Sequence, residues 1–110
     1  MRQSTTAVLE RNVRWQGAFE LEPYETAWAG EAIYFVRTLE SSSLPAEFSA
    51  RVQISPDGMN WCDEGSQLPI VDAPGVSFCR LTNFGGWLRV VGELPVGASA
   101  KVIVYLALKE

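Results

Sequence analysis

A chain of 110 residues with 47% apolar and 20% charged residues has the composition of one globular domain built on one core, not of a disordered segment. Its formal net charge of −4, with nine Lys and Arg scattered singly, excludes the basic patch that a phosphate backbone requires, so no nucleic-acid partner is expected. The absence of histidine removes the commonest general base and the commonest nitrogen ligand for a metal.

Residues 1–6 are polar and aperiodic and read as a flexible or partner-dependent arm. No signal-type apolar stretch follows them, so a cytoplasmic location is expected. From Ala7 to Trp15, Leu9, Val13 and Trp15 share a face and Arg11 interrupts the pattern. That predicts an edge strand within an N-terminal arm of residues 1–15, ahead of a sandwich domain of residues 16–110. Phe19 to Glu22 is a short strand that Pro23 ends, because proline donates nothing to a ladder. Tyr24 to Gly30 is a loop with two aromatic rings, Tyr24 and Trp28.

Glu31 to Leu39 is apolar on both faces, with Ile33, Phe35 and Leu39 opposite Ala32, Tyr34 and Val36. Such a strand lies centrally in its sheet, or has its second side covered by a neighbouring subunit. Either Ile33 and Phe35 or Tyr34 and Val36 must then face away from the core. Together with the edge-strand face, this makes Leu9, Val13, Trp15, Ile33 and Phe35 the candidate interface. On that reading, deleting residues 1–15 is expected to weaken assembly more than it weakens the fold.

Ser41 to Pro45 is turn chemistry. Beyond it, Phe48, Ala50, Val52 and Ile54 alternate with Ser49, Arg51, Gln53 and Ser55, the signature of a half-buried strand. Ser55-Pro56-Asp57-Gly58 ends the strand in a turn with Gly58 at positive φ. The chain re-enters an apolar segment through Met59 and Trp61, so the unit reads as a β-hairpin. Gly65-Ser66 and a loop through Pro69, Ala73, Pro74 and Gly75 come next. Val76 to Thr82 and Gly86 to Gly92 are strands joined at Asn83–Gly86. After the turn at Leu94–Gly97, Ala100, Val102, Val104, Leu106 and Leu108 form a last alternating strand, with Lys101 and Lys109 facing out. No segment has a sustained helical period, and the apolar runs Ala32 to Val36 and Val102 to Leu108 are too short to span a bilayer as helices. No membrane partner is expected. About seven or eight short strands at spacings of about 8–12 residues predict an all-β antiparallel sandwich, jelly-roll-like or immunoglobulin-like.

Little in the sequence points to catalysis. Asp57, Asn60, Asp63 and Glu64 cluster, but their spacing does not follow an EF-hand loop, and Asp-Gly at a hairpin tip is explained by the turn itself. Cys62 and Cys79 are expected to be reduced, semi-buried thiols; they would pair only with Cα atoms within about 7 Å. Without histidine they do not make a zinc site. No metal and no cofactor is expected. Of the tryptophans, Trp61 and Trp87 fall in strands and are assigned to the core. Trp28, beside Tyr24, is placed for contact with a ligand such as a sugar ring. No carboxylate pair or activated serine is visible, and Gly85-Gly86 precedes no helix that could cradle a phosphate. The protein is read as a non-enzyme.

The run Ser-x-Asp-Gly-x-x-Trp within Val52 to Trp61, followed by Trp-Leu-Arg-Val-Val within Gly86 to Val91, resembles small β-sandwich modules in structural proteins of tailed phages. It is also similar to discoidin-type and other carbohydrate-binding sandwiches, where an Asp-Gly-x-x-Trp hairpin recurs. The likeness covers under half of the chain. The phage resemblance implies a noncatalytic virion decoration or tail-associated protein, a homo-oligomer (a trimer or similar ring) that docks on a larger assembly such as a capsid or tail. The other implies a carbohydrate-binding module using Tyr24 and Trp28.

Overall fold

The computed structural model describes residues 3–110, which form nine β-strands and no helix. In chain order these are β1 (Ser4–Trp15), β2 (Ala18–Glu20), β3 (Tyr24–Glu25), β4 (Glu31–Ser42), β5 (Ser49–Ser55), β6 (Cys62–Pro69), β7 (Gly75–Thr82), β8 (Trp87–Glu93) and β9 (Ser99–Lys109). They make two antiparallel sheets, ordered β1-β9-β4-β7 and β2-β8-β5-β6, with β3 also on β8. No helix among the described residues is long and apolar enough to cross a membrane.

The pairing is nested. β1 pairs β9, β2 and β3 pair β8, β4 pairs β7, and β5 pairs β6. The chain is thus one long hairpin, bent at the Ser55–Trp61 turn and rolled into two layers, which is the jelly-roll order and not the immunoglobulin-like one. β2 and β3 share one partner and are separated at Leu21–Pro23, as the proline predicts.

The alternation in each strand decides what the two layers bury. Ala100, Val102, Val104, Leu106 and Leu108 of β9 face Ala50, Val52, Leu88 and Val90 of the second sheet, all essentially without solvent exposure. In β4 the buried set is Ala32, Tyr34, Val36 and Thr38. Each such Val or Leu contributes about 1.5–3 kcal/mol relative to exposure.

At the turn, the Asp57 carboxylate accepts backbone N–H groups from Asn60 at 2.8 Å and Met59 at 2.9 Å, and the Asn60 side-chain amide at 2.7 Å. Those donors, with the Ser55 hydroxyl, hold its carboxyl well below the usual aspartate range. Gly58 sits at φ 79°, the positive value expected.

Several expectations are corrected. Ser4–Thr6 are not a free arm: they pair with Ala107–Lys109, while Met1 and Arg2 lie outside the described residues. Trp15 is 3% exposed and stacks on Phe19 at 4.1 Å, and Phe19 in turn lies over Gly92, its cross-strand neighbour. The Trp15 ring is part of the core. β6 supplies the second strand of the expected hairpin but runs on through residues 65–69, which were expected to be loop. As an edge strand it has only Leu68 buried, so polar residues and the positive-φ Gly65 hide it from any hydrophobic period. Trp61 and Trp87 are half-buried on the outside of the second sheet, not core. Cys62 is exposed and Cys79 buried, and both are free thiols, with burial pushing the Cys79 thiol up. Strands β7 and β8, though consecutive, lie in different sheets, and buried Phe84 plugs the crossing between them.

Candidate functional site

The two outer faces of the sandwich differ in chemistry. On the second sheet, the Arg89 guanidinium lies 4.4 Å over the Trp61 ring and donates to Gln53 at 2.9 Å and to Glu20 at 3.5 Å. Gln53 donates to Asp63 at 2.9 Å, and Arg51 pairs with Asp63 at 3.4 Å. This face is a polar net whose members satisfy one another.

The first sheet is different. Because side chains alternate, the residues that lie between the buried positions of β4 are Ile33, Phe35 and Arg37. Register then lines up residues from all four strands. Val8, Tyr105, Phe35 and Phe78 are consecutive cross-strand partners and form one apolar row across the whole sheet. Ala107 and Ile33, ending in Arg80, flank the row on one side; Ile103, Arg37 and Val76 flank it on the other. Val76 is 64%, Phe78 47% and Val8 41% exposed. The Phe35 and Phe78 rings are 6.3 Å apart, and Arg80 lies 5.0 Å over Phe78. Arg37 and Arg80 have no ion-pair partner among the described residues. The outer face of this sheet thus combines a partly exposed apolar row with two guanidinium groups that lack a carboxylate partner among the described residues, one of them lying over Phe78.

The expected interface residues therefore divide. Ile33 and Phe35 lie on this outer face. Leu9 and Val13 are half-buried and pack against the core, where Trp15 is also buried. Periodicity did not point to Val8, Val76, Phe78, Ile103 or Tyr105, because rows across a sheet depend on register between strands distant in sequence. The signal that could have found part of the row is the unbroken apolar run Val102 to Leu108, too apolar for a strand with one wet face.

No family model matches this sequence, and no curated relative aligns with it.

Tyr24 and Trp28 do come together. They line a groove of about 540 Å³ between the Glu22–Trp28 segment and residues Ala7–Leu9 of β1. Glu22 and Glu25 line the same groove, and Glu25 accepts the Ala27 N–H at 3.0 Å. Among the described residues, no group of three or more His, Cys, Asp or Glu is placed to hold a metal ion.

Proposed function

We propose that the protein is a noncatalytic assembly module that docks through the outer face of the β1-β9-β4-β7 sheet, first of all onto further copies of itself. The supporting observation is the row Val8–Tyr105–Phe35–Phe78, which runs across every strand of that sheet and is flanked by Arg37 and Arg80, neither ion-paired among the described residues. Aromatic side chains and arginine dominate the energetics of protein interfaces. The polar net on the opposite face offers no comparable surface. The resemblance of the Val52–Trp61 hairpin to tailed-phage modules is what points the assembly toward a capsid or tail, with the protein as a decoration or tail-associated component of a virion.

Light scattering on the parent and on Phe78→Asp tests the reading. Phe78 belongs to edge strand β7 and is 47% exposed, so a charge there leaves the core untouched. The parent is expected to be a homo-oligomer at about 10 μM, and the variant a monomer with an unchanged melt. A parent that stays monomeric, or a variant that keeps the parent's mass, defeats self-docking through this face.

The carbohydrate-binding alternative draws on one observation, the meeting of Tyr24 and Trp28 in a single groove. A monomer that binds on a glycan array would reverse the order of the two readings.

A further inference from the structure

The groove beside β1 differs in charge from a neutral binding site. Among the described residues its lining includes Glu22 and Glu25 but no lysine or arginine. Neither Glu22 nor Glu10 has an ion-pair partner among the described residues. Glu10 is pushed above the usual glutamate range, first by burial and then by the negative charge of Glu22. The region thus holds uncompensated negative charge beside two aromatic rings, an arrangement that attracts a cation to the ring faces and the carboxylates together.

The opposite wall of the groove is a strand edge. β1 is bonded on one side only, to β9, and from Ser4 to Val8 its register is unbroken. Beyond Val8 two register shifts and Asn12 at φ 56° bend the strand, which discourages pairing there. A regular, open stretch of backbone therefore runs alongside an acidic, aromatic groove. Unpaired backbone groups on such an edge accept an extended chain, and the neighbouring pocket selects its side chain.

We infer that the groove receives a lysine or arginine side chain carried on an extended segment of a partner protein, which adds to the free edge of β1 as a further strand. Glu22 supplies the counter-charge, and Tyr24 and Trp28 flank the cation. A neutral saccharide would stack on the same rings but leave the carboxylates without a cation. The inference does not depend on the outer-face reading: it uses the free edge of β1 and the Glu22–Trp28 segment, and only Val8 is common to the two surfaces.

The test uses the full chain labelled with ¹⁵N and three probes: the peptide acetyl-Thr-Val-Lys-Val-Thr-amide, the same peptide with norleucine for lysine, and cellohexaose. The lysine peptide should shift the amides of Ala7–Leu9 and the Trp28 indole N–H, with the norleucine peptide at least about tenfold weaker. Glu22→Gln, an exposed and near-isosteric change, should weaken the lysine peptide by about threefold to tenfold without moving the melt. Trp28→Ala should weaken it as well. Equal affinity for the two peptides, indifference to Glu22→Gln, or no shift up to about 1 mM lysine peptide overturns the inference. Cellohexaose shifting the same signals while the peptide does not would overturn it in favour of a carbohydrate.

Discussion

Gly58 sits at φ 79° beneath the Trp87 indole, and a Cβ built there would approach two of its ring carbons to 3.2 Å. Two penalties therefore coincide for any larger residue, the positive φ and the crowding of a half-buried ring. Gly58→Val is expected to lower stability by about 1–3 kcal/mol, read as a lower urea midpoint at unchanged slope. An unchanged midpoint would show that the turn relaxes to another geometry. This turn was legible because its determinants are local: Pro56, Asp57 and Gly58 are adjacent, and Ser55 and Asn60 complete the hydrogen bonds around Asp57. The placement of the nearby indoles was not legible. Trp87 opens a strand and Trp61 precedes one, but Arg89 and Gly58 hold both rings on the outer face. Those contacts join residues far apart in the chain.

At the scale of the element, β1 has two halves with different roles. Ser4–Thr6 and Val8 are exposed, whereas Trp15 at the far end is buried and stacked on Phe19 with ring planes 7° apart. Deletion of residues 1–15 as a unit would remove a core tryptophan, so its effect on assembly cannot be separated from its effect on folding. Two smaller changes separate them. Trp15→Ala should cost about 3–5 kcal/mol, a large share of the stability of a domain this size. Removing the chain up to Val8 should cost less, because the paired residues it deletes bury little side-chain surface. Urea titrations of both variants provide the check, and equal losses would contradict the division. The strand itself could be read from Leu9, Val13 and Trp15. Its continuation to Ser4 could not, since Ser4, Thr5 and Thr6 are polar and gain their order from β9 alone. The same limit applies to the candidate site. Phe35 stood out as a surplus apolar residue, but Val8, Tyr105 and Phe78 became its neighbours only through register.

The molecule as a whole is one hairpin rolled up, and that organisation has a kinetic consequence. Most of its pairings join distant segments, the extreme case being Ser4 with Lys109, a topology that folds slowly when loop closure must precede every contact. The nested order removes much of that difficulty. Once β5 and β6 pair across the short turn, β4 and β7 are already near one another, then β8 with β2 and β3, and finally β9 with β1. Closure starting from the Asp57 turn thus keeps each later loop short. The ends of the roll also meet: the Glu110 N–H donates to the Gln3 carbonyl at 2.9 Å, so the two ends can be joined by a short linker. Two circular permutants follow from this geometry. One is opened between Val96 and Gly97, where Val96 is fully exposed and the turn is closed by a backbone bond, the Ala98 N–H to the Pro95 carbonyl at 3.0 Å, in place of the side-chain network around Asp57. It should refold about as fast as the parent. The other is opened between Asp57 and Gly58, which severs the turn and leaves β5 and β6 to meet through the rest of the chain. The longer closure should slow refolding by at least about tenfold. Stopped-flow tryptophan fluorescence on both permutants measures the difference, and equal refolding rates would mean that the roll does not close from this turn.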